Sequence, residues 1–302
     1  MANRNLLLKT GDWELMKINH LLRLYEQGNR EFSAFDLRGA ELSRVMLIAV
    51  DLTKANLMGV DLSRAFLTKS NLSGASLNWA NLMFAKLSEA HLAGADLTKA
   101  NLNGAFMVKA TLSKAKLSGA NLSNANLRAV DLQEANLCGA NLYRINLREA
   151  NLNGVNFRWA NLQEARMTGA KLEGTLFGGA NLHRAFLKDV DLSHADLEGI
   201  NLSEARLNGS KLLEANLRRA NLQGSQLRGV DLSGANLTGA NLTQANLEGA
   251  NLNGAILHQA NLRETNLNEA KLSNTVLEEA QLGNSRVNSC PSLDWPNLEI
   301  VL

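Results

Sequence analysis

The sequence predicts an all-β solenoid, a chain wound into stacked coils around one apolar interior. Three observations predict it. A Leu or an apolar substitute falls on every fifth residue from Phe32 to Val287 with no insertion or deletion, the residue two places before it is most often Ala, and both prolines, Pro291 and Pro296, follow the last repeat. Five residues of helix advance about 500°, so successive leucines would drift by roughly 140° and bury no stripe. On a continuous strand an odd period would throw alternate leucines onto opposite faces. A strand-like trio followed by a bend satisfies the period. With the central Leu as position i, residues i-2 and i point inward, i-1 points outward, and the chain turns a corner at i+1 and i+2.

Residues 1 to 29 precede the repeats. Within them DWELMKINHLLRLYEQG, residues 12 to 28, reads as a helix: Asp12 is its N-cap, Glu14 lies near the positive end, Leu15, Ile18, Leu22 and Tyr25 share a face, and Gly28 follows the end. That face is expected to cover the first coil, whose unpaired strand edge would otherwise recruit another chain.

Residues 30 to 289 are the repeats. Of 52 central positions 46 are Leu, and the exceptions, Phe32, Met107, Phe157, Met167, Phe177 and Val287, are all apolar. Nineteen of the 23 glycines fall at i+2, the place where a bend needs backbone angles that a Cβ disfavours. Position i-1 carries 22 Asn and eight Asp, read as outward ladders in which an amide bonds the same position of the next coil. The ladder accounts for the many NLS, NLT and GxxxG matches, which the repeat generates by itself. One coil has no partner for its backbone, so coils must stack as parallel strands about 4.8 Å apart. Val130, Ile145, Val190 and Ile200 stand where Ala is usual and require local adjustment. Leu142→Asp is expected to break the fold, whereas Ser123→Asp, at an outward position, is expected to leave it intact.

Residues 290 to 302 form an apolar tail with Trp295, Leu298, Ile300 and Val301, and the prolines that open it end the ladder because Pro supplies no N–H. The tail reads either as a plug over the last coil or as a contact between two chains.

The phrase ANLTGANLTQANLEGANLNG, residues 235 to 254, is similar to the pentapeptide-repeat consensus A(D/N)Lxx, and the match covers roughly residues 30 to 289. The resemblance implies a right-handed quadrilateral parallel β-helix with 20 residues per coil, hence 13 coils and a rod of about 60 Å. LLRLYEQGNREFSAFDL also resembles the lead-in segment of pentapeptide-repeat proteins from photosynthetic bacteria. Some members of the family pair through their C-terminal ends, so the chain is expected to be a monomer or a dimer joined there.

Composition narrows the function. Lys and Arg number 31 against 29 Asp and Glu, and residues 1 to 30 hold five of the former and three of the latter, which leaves the body neutral at 26 of each. Such a body neither attracts nucleic acid or a membrane surface nor imitates a polyanion. Two cysteines, Cys138 and Cys290, and the lack of a long apolar run fit a reduced, cytoplasmic protein. The histidines His20, His91, His183, His194 and His258 are scattered, with no metal spacing, no phosphate loop and no converging nucleophile and base. No cofactor, metal or catalysis is expected.

Surface recognition remains. In the 20-residue register one side carries the outward apolar residues Met46, Ile48, Phe66, Phe106 and Val108, with Trp79, Met83 and Phe84 around the neighbouring corner. Further along, the same side places one cation in each of six consecutive coils: Arg128, Arg148, Arg166, Lys188, Arg206 and Arg228. The cations fit a solvated face partly neutralised by Glu149 and Asp189, while outward aromatics call for a covering segment or a docked partner. The leading reading is a non-enzymatic interaction scaffold for a protein partner. Within the family, the resemblance offers an alternative, a DNA-mimicking modulator of DNA gyrase, from which the neutral body departs.

Overall fold

A computed structural model describes residues 10–287. Except at Lys171 and Leu176, parallel bridges join each i-1 residue to the residue twenty further on, from Glu31 with Asp51 to Asn266 with Arg286, so four pentads close one coil. The four sides are numbered here by their central residues: 32, 52 and onward for side 1, then 37, 42 and 47 for sides 2, 3 and 4. The C-terminal tail, with Pro291 and Pro296, lies outside the described residues.

Each pentad builds the same local structure. The central N–H donates to the i-1 carbonyl of the next coil, as Leu142 does to Asn161 at 2.7 Å, and the i-1 N–H donates back to the i-2 carbonyl of the coil before, as Asn141 does to Ala120 at 2.9 Å. The i+3 N–H then closes a turn onto the central carbonyl, as Ala140 does onto Leu137 at 3.0 Å. Every corner residue at i+2 from 34 to 284 has φ between 53° and 71°. That is the type II turn, which favours Gly at its third residue. Yet 32 of these corners are not Gly, and none of the 32 is β-branched, the class for which this region is most strained. Part of the compensation is a further bond between coils, since the corner N–H also donates across, as Gly104 does to the Ser123 carbonyl at 2.9 Å.

The interior is one cluster of Leu and Ala running the length of the rod. Ala at i-2 is replaced at several places by Ser or Thr that remain buried, and their hydroxyls are satisfied by main-chain carbonyls: Ser70 donates to Leu47 at 2.8 Å, Ser210 to Leu187 at 2.6 Å and Thr265 to Leu242 at 2.9 Å. The expected outward ladder is present, for example from Asn161 to Asn141 at 3.2 Å and Asn141 to Asn121 at 3.3 Å. The side-chain oxygen has a second role that the repeat count does not reveal. It accepts the N–H two residues on, as Asn136 does from Cys138 at 3.1 Å, and so holds the start of the corner. Ser123 is not the outward residue expected: only 7% exposed, it bonds Asn121 at 2.7 Å and Asn103 at 2.6 Å. A carboxylate there cannot donate to the Asn121 oxygen and would face it in a nearly closed space, so Gln223 is the sound outward control.

Asp231 shows how this bonding reaches acid stability. Its oxygen accepts from the Ser233 hydroxyl at 2.6 Å, the Ser233 N–H at 3.1 Å and the Asn251 amide at 2.9 Å. The hydroxyl bond is the largest cause that holds this carboxyl below its ordinary value. A lowered folded pKa stabilises above the unfolded value of about 3.9 and ceases to do so as pH falls through the lower folded value. Ser233→Ala is therefore expected to lower the melting temperature near neutral pH and to cost less in strong acid. Equal losses at both would overturn this account.

Helix α1, Thr10–Glu26, stands ahead of the coils. It starts two residues before Asp12, which lies in the first turn and is not the N-cap. Leu21, absent from the expected face, is fully buried in the same cluster as the coils, Ile18 is 8% exposed, and Leu22, Leu24 and Tyr25 pack against them. The Tyr25 hydroxyl accepts the Ile48 N–H at 2.9 Å, tying the helix to the first coil.

One seam interrupts the ladder. The bridges expected between Lys171 and Asp191 and between Leu176 and Asp196 are missing, on sides 1 and 2, while Asn161–Asn181, Asn181–Asn201 and Arg166–Phe186 remain on sides 3 and 4. Two features converge there. On the near edge Phe177 replaces the usual Leu, its ring stacked on Phe157 of the coil before with centroids 5.8 Å apart and the ladder between those two coils intact, and on the far edge Val190 puts a branched side chain where Ala is usual. Val130 and Ile145, by contrast, are buried with every neighbouring ladder bond intact.

Candidate interaction surface

The aromatic group lies on the corner between sides 3 and 4. Phe84 is a corner residue at i+2, and Phe66 and Phe106 belong to the i-1 column of side 4, which runs Met46, Phe66, Lys86, Phe106 by successive bridges. The three phenylalanines are 40%, 38% and 39% exposed for Phe66, Phe84 and Phe106. With Arg44, Arg64 and Lys86 they line a shallow depression of about 440 Å³. The Lys86 ammonium sits 3.4 Å from the centre of the Phe106 ring and the Arg64 guanidinium 5.7 Å from that of Phe84. Among the described residues no acidic side chain lines the depression, so it offers apolar faces and positive charge together.

The corner geometry seats one of these rings. Phe84 lies over Gly104, the corner of the next coil, where a Cβ would overlap the ring. Trp159 repeats the arrangement over Gly179, whose added Cβ would come within 2.6 Å of the indole.

The expected site residues do not all converge. Met46 neighbours Phe66 in the column, but Trp79, 59% exposed on the corner between sides 2 and 3, is outside the depression and is covered by the Lys99 ammonium at 4.4 Å. The basic strip is largely committed. Arg128 pairs with Glu149 at 2.8 Å, Lys188 with Asp189 at 3.6 Å and Arg228 with Glu248 at 3.2 Å. Arg166 and Arg206 lie 5.8 and 4.8 Å from the centre of the Phe186 ring, and Arg148 bonds Asn146 at 3.0 Å. Arg44, Arg64 and Lys86 were missed, although the 20-residue register already stacks Arg44 and Arg64 under Phe84 and sets Lys86 between two phenylalanines.

Each repeat histidine contacts the residue stacked twenty positions on: His91 with Thr111 at 3.2 Å, His183 with Ser203 at 2.8 Å, His194 with Glu214 at 3.4 Å and His258 with Glu278 at 3.6 Å. Among the described residues no group of His, Cys, Asp and Glu is arranged to hold a metal ion. Nor is any helix among them long and apolar enough to cross a membrane.

With this geometry in view, comparison with known proteins decides the family. The pentapeptide-repeat model matches in overlapping or abutting segments from 31–64 to 255–290. The chain belongs to the pentapeptide-repeat family. Among solved members it is 35% identical to HetL, described as involved in heterocyst differentiation regulation in the cyanobacterium Nostoc sp. strain PCC 7120, over 85% of this chain and 96% of that one, with a TM-score of 0.40. Rfr23 from the cyanobacterium Cyanothece 51142 is 36% identical over 36% of this pentapeptide-repeat chain and 60% of its own, with a TM-score of 0.22. QnrB1, described as a plasmid-mediated fluoroquinolone resistance protein, is 19% identical over 72% of this chain and 89% of its own, with a TM-score of 0.29. A search of curated proteins finds no match.

Proposed function

We propose that this pentapeptide-repeat protein is a non-enzymatic interaction scaffold that docks an acidic segment of a protein partner, with apolar side chains, on the corner formed by Phe66, Phe84 and Phe106. The observation that carries the reading is the joint exposure of three phenylalanines with Arg44, Arg64 and Lys86 and no lining acid. Exposed aromatic faces gain from burial, and flanking cations select the sign of what covers them. The organisation that goes with it is a segment 1–29 whose helix caps the first coil, a rod 30–289 and a capping tail 290–302, in the cytoplasm. The gyrase-directed alternative is not carried forward, because 31 cations against 29 anions and a basic docking corner oppose DNA mimicry.

Affinity capture from the native cells tests the proposal with three forms: wild type, Phe66→Ser/Phe106→Ser and Arg64→Glu/Lys86→Glu. A partner lost from both variants, and released from wild type as salt rises, is the expected result. Identical partner sets for the three would remove this corner from consideration.

A further inference from the structure

The seam leaves two strand edges facing each other on sides 1 and 2. In the coil before, Leu152 donates to Lys171 at 2.9 Å and Phe157 to Leu176 at 2.8 Å; in the coil after, Leu192 donates to Lys211 at 2.8 Å. At the seam itself the corresponding N–H groups of Leu172, Gly174 and Phe177 have no main-chain acceptor, and those of Asp191 and Asp196 reach neither Ala170 nor Thr175. Between the edges is an open slot of about 880 Å³, within the ~300–1,000 Å³ of ligand clefts. Its walls include Leu172, Phe177 and Leu192, core residues that elsewhere face only the next coil. Ala170 and Leu172 are the places where that core opens, at 7% and 6% exposure.

We propose that this seam binds an extended peptide segment of a partner protein, whose backbone adds to the two open edges and whose inward side chains follow the Ala-x-Leu spacing. Backbone and side chains both specify that occupant. Unpaired N–H and C=O groups at strand spacing are complemented by another extended chain, the mode of strand addition at sheet edges. The walls present Ala170, Leu172 and Phe177 on one edge and Leu192 and Ala195 on the other, at the inward spacing of every coil, so two apolar residues separated by one outward residue match them. The flanking charges do not select a sign, since Asp191 pairs with Lys211 at 3.9 Å and Asp189 with Lys188 at 3.6 Å. The seam is separate from the aromatic corner, which lies on the other two sides and several coils earlier.

The probe is a synthetic peptide of residues 235–245, ANLTGANLTQA, which carries the inward pattern in Ala235, Leu237, Ala240 and Leu242. Amide hydrogen exchange of the full chain reads the result. Without peptide, Leu172, Gly174, Phe177, Asp191 and Asp196 should exchange far faster than Leu152 and Leu212, whose N–H groups are bonded. Added peptide should slow the seam amides and leave the others unchanged, and a peptide with Pro in place of both asparagines should bind at least about tenfold more weakly, having lost its outward ladder donors. A Lys171→Cys/Asp191→Cys chain should bind when reduced and not once oxidised. No slowing at about 1 mM peptide, or seam amides already as slow as Leu152 without it, would overturn the proposal.

Discussion

Leu142→Asp is expected to unfold the middle of the rod, whereas Gln223→Asp is expected to leave the melting temperature nearly unchanged. Leu142 is completely enclosed, and its own N–H is bonded to the next coil at 2.7 Å. Truncating a buried Leu costs about 2–5 kcal/mol, and a carboxylate in its place adds the cost of an unpaired buried charge. The side chain cannot swing out, because its position in the trio points it at the axis. Gln223 is exposed at i+1, where substitutions cost within about 0.5 kcal/mol. Coils in a solenoid touch only their neighbours, so the damage should be greatest near residue 142 and weaken with distance. The seam, where two sides have lost their bridges, is the boundary at which it should stop: amides beyond residue 197 should keep their protection. Equal melting temperatures for the two variants would refute the inward assignment of the central column.

Most of the fold could be read from residues that repeat. A period of five with Leu at i, Ala at i-2 and Gly at i+2 determines what points inward and where the chain bends, and each pentad meets the same neighbours, so one local solution serves the whole rod. Departures from it come from residues that act through a neighbour twenty positions away. Ser123 looked outward from its place in the pentad, but Asn103 in the coil before encloses it. Leu21 lies on a helix whose packing is decided by the first coil and not by its own periodicity. The seam was harder still, because neither Phe177 nor Val190, which stand on its two edges, departs from the apolar rule of its position. Half the aromatic corner was visible for the converse reason: an exposed Phe is conspicuous in a list of polar positions, whereas Arg44, Arg64 and Lys86 look like ordinary solvated cations until the register sets them beside the rings.

Gly104→Ala should couple the fold to that corner. Ala is not itself excluded from a corner, since Ala49 and Ala129 occupy theirs at φ of 55° and 56°. At Gly104, however, the new Cβ would overlap the Phe84 ring, so the ring must leave its seat as well. Backbone strain and ring displacement together should lower stability by about 1–3 kcal/mol. The two costs separate in a double-mutant cycle: in a Phe84→Ala background only the φ cost remains, so the same substitution should become cheaper by at least about 0.5 kcal/mol. Because Phe84 is one wall of the depression, Gly104→Ala should also weaken capture of the partner although residue 104 lines no part of the site. Phe84→Ala would reproduce that weakening without the strain at residue 104. Strictly additive stabilities would mean that the ring does not rest on Gly104. Unchanged capture with a confirmed coupling would mean that Phe84 is a structural cover for its neighbour, leaving Phe66 and Phe106 to carry the contact.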